Sequence, residues 1–286
     1  MRRREFVRSA AVGAAQAAVL GGASWRALAA QERPPVRVGM CDWSLGRTAD
    51  VGAIAVAKEI GLDGVEVSVG YPGDGLRMRQ PALQAEYLAA ARDAGLALPS
   101  VALGVLNEVP LKSEPVAGVW LADAIQVAHA LGAHTILIAF FGRGTLDMAN
   151  DEDVQRTVTV LKDLAPRAAE AGVTLGLENT LSAEDNLRLL EMVGADAVRV
   201  YYDFKNSANA GRDPAAEIRR LGSAICQVHA KNDDRMLRDR TNVDFAACAE
   251  ALREVGYSGW VVLETSSPTD LVADTKANLE YVRATF

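Results

Sequence analysis

The sequence predicts an α/β fold: a single eight-stranded (β/α)8 TIM barrel preceded by an N-terminal export signal. Three observations lead there. Eight short runs rich in Val, Ile and Leu alternate with amphipathic stretches of ten to twenty residues, a glycine stands shortly before five of those runs, and the first thirty residues differ in composition from the rest. The chain has 286 residues, 50% of them hydrophobic, which suffices for one large core and requires no second domain.

The first element is the export signal, assigned to residues 1–29, with the barrel domain occupying 30–286. Arg2, Arg3, Arg4 and Arg8 precede an apolar stretch over 10–23 that is rich in Ala and Gly, the layout of a signal peptide. Arg3-Arg4-Glu5-Phe6-Val7 resembles the twin-arginine export motif, and Ala27-Leu28-Ala29 offers a small-x-small cleavage site. The alternatives are a basic N-terminal helix or a retained anchor, but the apolar run is too short to span a bilayer comfortably. The expected partner is the twin-arginine machinery, the destination periplasmic or otherwise extracytoplasmic, and no stable membrane association follows cleavage. Removing residues 1–29 takes away five arginines and one glutamate, which moves the formal net charge from −7 to −11. A surface this acidic repels a phosphate backbone, so no nucleic acid is expected as a partner.

The strands follow in order over 36–41, 64–68, 98–103, 135–140, 173–178, 198–203, 225–230 and 259–264. Gly61, Gly95, Gly132, Gly172 and Gly256 stand at the expected helix ends, where glycine tolerates the left-handed conformation that terminates a helix. These helix-to-strand connections are short. Several strand-to-helix connections are long and polar, notably 71–79, 106–114, 142–151 and 233–242, so chemistry belongs on that rim, at the C-terminal strand ends. An open doubly wound sheet is the alternative, but residues 40–46 contain no G-x-G-x-x-G turn for a dinucleotide. Cys41, Cys226 and Cys248 are odd in number and widely separated, which reads as buried apolar residues rather than a disulfide framework.

The chemistry sits at the ends of the last four strands. Strand five ends in Leu177-Glu178, strand six in Tyr202-Asp203, strand seven in Val228-His229 and strand eight in Leu263-Glu264. Any one of these carboxylates at a strand end is more often a helix cap or an ion-pair partner. Three converging on one barrel rim with an imidazole need a cation, a proton or an arginine, and one divalent ion answers that need most simply. Three carboxylates and one imidazole suit a Mn²⁺-like or Mg²⁺-like ion, with Co²⁺ or Zn²⁺ as alternatives.

On these residues the chain resembles, over 36–286, the xylose-isomerase-like barrels grouped as sugar phosphate isomerases/epimerases, and most closely the ketose 3-epimerases such as D-tagatose 3-epimerase. The resemblance implies that Glu178, Asp203, His229 and Glu264 hold the metal. It implies that Glu178 and Glu264 face each other across the sugar, one removing a carbon-bound proton and the other returning it, through a metal-stabilised enediolate. It also implies substrate contacts from Glu184, six residues after the first ligand, and Arg235, six after the His. The family commonly has a His three residues after the Asp ligand, where this chain has Asn206, which can still hydrogen-bond a polyol.

Trp43, after strand one, could stack on a sugar ring; Phe140 and Phe141, after strand four, could do the same. Glu66 on strand two and Asn107 after strand three could orient groups in the barrel mouth. Lys205 and Lys231 near the same rim read as solvating or ion-paired lysines, and His129 and His134 as structural. The implied activity is metal-dependent C3 epimerisation of a ketose, with a carbohydrate as the small-molecule partner and room for a homo-oligomer. A metal-dependent lyase cleaving a 3-keto-glycoside is the competing enzyme, and a non-enzymatic sugar-binding protein would leave four converging ligands without a purpose. A multi-zinc DNA-repair barrel would need several histidines, and only His229 lies on this rim.

Overall fold

The computed structural model describes residues 36–239 and 241–286, so the export signal expected at residues 1–29 lies outside the described residues. The eight strands are β1 (Arg37–Cys41), β2 (Gly64–Ser68), β3 (Ser100–Leu103), β4 (Thr135–Ala139), β5 (Thr174–Glu178), β6 (Val198–Asp203), β7 (Ile225–Ala230) and β8 (Trp260–Leu263). They pair in parallel and in chain order, and β8 returns to β1 to close the barrel. Each matches its expected run to within two residues. The largest difference is β3, which begins at Ser100 after Pro99, a residue with no N–H to give to a ladder.

The helices are α1 (Gly52–Ile60), α2 (Pro81–Ala94), α3 (Pro115–Leu131), α4 (Asp151–Glu170), α5 (Ala183–Val193), α6 (Phe204–Asn209), α7 (Pro214–Leu221), α8 (Phe245–Glu254) and α9 (Leu271–Thr285). Gly61, Gly95 and Gly132 take the left-handed conformation directly after α1, α2 and α3, and their N–H groups donate to carbonyls of the last turn. The long strand-to-helix loops carry short 3₁₀ turns, at Pro72–Asp74, Gly104–Asn107 and Gly142–Gly144 among others. No helix of the described residues is long and apolar enough to cross a membrane.

Alternation along each strand divides the hydrophobic core in two. Outward-facing residues such as Val65, Val67, Leu175, Leu177, Val261 and Leu263 join the helices in one large apolar layer. The lumen holds only a small apolar cluster of Ala102, Leu137, Ala139 and Tyr201. Much of the rest is polar, with Glu66, Ser100, Glu178, Asp203, Gln227 and His229 all buried. Gly176 makes room for this filling, because a Cβ there would meet Cys226 Sγ at 3.0 Å, Tyr201 Cβ at 3.2 Å and the Ile136 carbonyl at 3.3 Å.

Candidate metal centre and catalytic cavity

Strand register brings the four expected ligands together. Asp203 on β6 pairs with His229 on β7, and the Glu264 N–H donates to the Ala230 carbonyl one residue past that ladder. Glu178 closes β5, opposite Ala139 on β4. One ligand atom from each of Glu178, Asp203, His229 and Glu264 lies within 4.8 Å of the others. His229 Nδ1 faces this group, 3.0 Å from Glu178 Oε1, 3.5 Å from Glu264 Oε2 and 4.0 Å from Asp203 Oδ2.

The residues fit a divalent cation on their own geometry. Asp203 uses Oδ1 to cap α6 through the Asn206 N–H, at 2.7 Å. Its Oδ2 is buried without a hydrogen-bond partner, although Lys231 Nζ lies 3.1 Å away as an ion pair outside hydrogen-bonding geometry. A buried carboxylate oxygen left this way is costly unless a cation completes it. Three hard oxygens and one imidazole nitrogen form a donor set for Mg²⁺-like or Mn²⁺-like ions.

Without an ion the cluster is frustrated. Burial pushes Glu178 up to about 7, against the pull of His229, and burial likewise raises Asp203, with Lys231 pulling the other way. Burial also works against the charge on Glu264, but His229, Lys231 and hydrogen bonds from Lys231 and Trp43 outweigh it and hold the group below the usual range. For His229 burial disfavours the imidazolium, and the Cys41 sulfur and the Glu178 and Glu66 carboxylates outweigh it, so its pKa lies well above the ordinary value.

Lys231, read from the sequence as a solvating or ion-paired lysine, is ion-paired within the cluster. Its ammonium reaches Glu264 Oε2 at 2.7 Å as well as Asp203, and nothing in the pattern of a charged loop distinguishes it from its neighbours. Lys205 bonds Asn242 and pairs with Asp233 instead. Trp43 Nε1 donates to Glu264 Oε1 at 3.3 Å, so both oxygens of Glu264 are engaged.

Two cavities meet at Trp43 and Glu264. The first, about 340 Å³, is lined by both catalytic candidates, Glu178 and Glu264, with Trp43, Tyr71, Asn107 and Phe141 around its mouth. The second, about 450 Å³, is lined by Lys231, Asp233, Asp234, Thr265 and Ser266. Asn107 Oδ1 accepts from the Phe141 N–H at 2.9 Å and holds that aromatic at the rim, whereas Phe140 is buried in the outer core. Asn206 has a buried side-chain amide nitrogen without a partner. Glu184, in the first turn of α5, and Arg235, in the loop after β7, are exposed and line neither cavity. His129 bonds the Ala171 carbonyl, and His134 lies before β4 at the opposite end of the barrel.

Beneath the four ligands Glu66 has a larger part than its strand position alone suggested. Its Oε1 lies 3.0 Å from His229 Nε2, and its Oε2 accepts from Ser100 and Tyr201. The signal available in the sequence was a carboxylate at an inward position of a fully buried strand, Gly64-Val65-Glu66-Val67-Ser68.

The comparisons with known proteins agree with this frame. The model of the xylose isomerase-like TIM barrel family matches residues 54–285. A 2-epi-5-epi-valiolone 7-phosphate 2-epimerase from an Actinoplanes species is 32% identical over 180 residues, covering 63% of this chain and 66% of that protein. An L-ribulose 3-epimerase from Mesorhizobium japonicum is 27% identical over 227 residues, covering 76% and 67%. The chain thus spans about two thirds of the length of each of these relatives. The crystal structure of D-psicose 3-epimerase with D-tagatose from Clostridium cellulolyticum H10 superposes with a TM-score of 0.72 at 20% identity, covering 87% of this chain and 99% of that one. At that identity the likeness shows the fold. These relatives are epimerases, a class of isomerase, and the chain belongs to the xylose isomerase-like TIM barrel family.

Proposed function

We propose that the protein is a divalent-metal-dependent sugar epimerase that inverts C3 of a ketose, with Mn²⁺ as the ion. The observation that carries this is the placing of Glu178 and Glu264. Both belong to the ligand cluster and line one cavity, and β5 and β8 stand three strands apart around the closed ring. Their carboxylates therefore approach a sugar from different sides.

Glu178, Asp203, His229 and Glu264 would hold the ion, which supplies Lewis-acid polarisation of a ketone oxygen and so acidifies the neighbouring C–H. One glutamate takes that proton and the other returns one to the opposite face. Trp43 orients Glu264 through its indole N–H and offers its ring to the sugar. The unpartnered amide of Asn206 is the proposed contact to a sugar hydroxyl. Glu184 and Arg235 line neither cavity, and the substrate contacts the resemblance implies for them stay a proposal.

In D₂O, Mn²⁺-loaded protein incubated with free and phosphorylated ketoses should exchange and invert one carbon-bound proton, followed by NMR. Glu178→Gln and Glu264→Gln should each slow this by about 10³-fold or more, the scale of a lost acid–base group. Aldose formation would convert the assignment to an isomerase, and no exchange on any ketose would end it.

One observation favours a second reading, in which the sugar is a 3-keto-glycoside. The first cavity stays open at a mouth where Tyr71 is 58% exposed beside Trp43 and Phe141, room for an aglycone that a free ketose does not use. Under this reading Tyr71→Ala weakens turnover of a 3-keto-glucoside and spares any free ketose. Equal effects on both would dismiss it. We also propose export by the twin-arginine route, supported by Arg3-Arg4-Glu5-Phe6-Val7; Arg3→Lys with Arg4→Lys should keep the protein in the cytoplasmic fraction.

A further inference from the structure

We infer that Glu66 is a positioning residue that keeps a proton on Nε2 of His229 and thereby reserves the Nδ1 lone pair for a divalent cation. The inference rests on the metal-centre reading above and concerns how the protein chooses between two sides of one imidazole. His229 could serve either of two cages, because Cys41, Glu66 and His229 also present ligand atoms within 4.8 Å of one another. The hydrogen bonds beneath the site decide which cage is used.

The direction of those bonds starts at Gln227 on β7. Its amide nitrogen donates to Ser100 Oγ at 2.7 Å and to Tyr201 Oη at 2.9 Å. Each hydroxyl oxygen thus receives a proton from Gln227 and must give its own elsewhere. Both give it to Glu66 Oε2, at 2.5 Å from Ser100 and 2.8 Å from Tyr201. The reverse amide orientation would turn Gln227 Oε1 toward the two hydroxyls, draw their protons away and leave Glu66 Oε2 buried without a donor.

Glu66 Oε1 lies 3.0 Å from His229 Nε2 and accepts from the Cys41 thiol at 3.5 Å, and the same thiol sulfur lies 3.4 Å from Nε2; an ionised carboxylate can only accept, so the proton between Glu66 and the ring sits on Nε2. With two donors on each oxygen the carboxylate has no lone pair left for an ion. The Nε2 side of the ring is therefore closed and wholly buried. The Nδ1 side faces three carboxylates, among them Asp203 Oδ2, which accepts no hydrogen bond and is ion-paired with Lys231 at 3.1 Å, and Glu178 and Glu264 connect it to the open cavity. A carboxylate behind a metal-bound histidine orients the ring and raises its basicity.

The test is Mn²⁺ affinity, read by electron paramagnetic resonance titration, together with ¹⁵N-histidine NMR of the Mg²⁺-saturated protein. His129→Gln and His134→Gln spectra assign the His229 signals. Glu66→Gln is expected to lower Mn²⁺ affinity by about 10- to 100-fold, Tyr201→Phe by less because it removes one donor and leaves the carboxylate, and Cys41→Ala hardly at all. The Mg²⁺-saturated wild type should show a protonated Nε2 and an unprotonated Nδ1. Unchanged affinity in a folded Glu66→Gln variant, or a loss in Cys41→Ala as large as in Glu66→Gln, would overturn the inference while leaving the metal centre intact. Should Glu66→Gln not fold, the wild-type spectrum decides alone, and a proton on Nδ1 refutes the assignment. A wild-type protein that binds no Mn²⁺ would remove the metal-centre reading itself and the inference with it.

Discussion

Affinity for a divalent cation should fall steeply as the pH drops from 8 to 6, because the four ligands must shed protons before they can hold an ion. Burial raises Glu178 to about 7. A carboxyl with that value goes from about one-tenth protonated at pH 8 to about nine-tenths at pH 6, which alone weakens binding roughly tenfold. The Glu178 and Glu66 carboxylates keep His229 charged well above its ordinary range despite its burial, and if it stays charged throughout the window it adds a further factor of about ten per pH unit. Asp203, raised by burial, acts in the same direction. The combined loss then approaches a thousandfold, about 4 kcal/mol at 1.36 kcal/mol per tenfold step. Calorimetric titration with Mn²⁺ in buffers of different ionisation enthalpy measures the affinity and counts the protons released, about one to two per ion at pH 7. Equal affinity at pH 6 and pH 8, with no protons released, would show that the ligands are not frustrated in the way described.

The metal-free protein is expected to be more stable at pH 5.5 than at pH 7.5. Burial raises Asp42 to about 6 and Glu178 to about 7. A raised carboxyl stabilises the fold below its unfolded value, and that contribution is lost as pH rises through the folded one. Groups held low, such as Glu264 and Glu254, act only below about pH 4.5 and leave this window alone. Tm should fall by roughly 5 °C or more across the window, and saturating Mn²⁺ should flatten the dependence; a rising Tm without metal would contradict the assignment. Lys231→Met removes an ammonium 2.7 Å from Glu264 Oε2 and 3.1 Å from Asp203 Oδ2. It should tighten Mn²⁺ binding by about tenfold or more while lowering the metal-free Tm, and weaker binding would show that Lys231 supports the ion rather than competing with it. Gly176→Ala overfills the lumen beside Tyr201 and should cost about 1–3 kcal/mol in urea unfolding, a neutral result meaning that the lumen can give.

The fold was readable because its two signals are local. Runs such as Thr135–Ala139 and Thr174–Glu178 are apolar on the outward face and short, and Gly61, Gly95 and Gly132 mark helix ends through a backbone conformation that only glycine takes cheaply. The cluster of four candidate ligands was readable for a related reason, since each residue is the last inward-facing one of its strand or lies just beyond it. What stayed hidden depends on side-chain reach across the barrel. Lys231 differs from Lys205 in sequence by nothing that predicts which one bends over Asp203. The contacts proposed for Glu184 and Arg235 rest on spacing alone: one begins a helix and the other lies on an exposed loop, and spacing does not fix the direction in which such residues point.

The division of the core explains how so polar a centre is tolerated. The large apolar layer lies between strands and helices, so residues such as Val65 and Leu177 supply hydrophobic stabilisation without facing the site. Inside the barrel, Ser100, Tyr201, Gln227 and Glu66 satisfy one another across four different strands, which a single strand could not do. That mutual satisfaction fixes the floor rigidly and leaves the unmet demand at the C-terminal rim, at Asp203 Oδ2 and in the raised carboxyl of Glu178. The raised carboxyl of Glu178 faces the cavity, where an incoming cation can relieve it. A stabilising substitution there, such as Asp203→Asn, would relax the metal-free fold and remove the reason for an ion to bind.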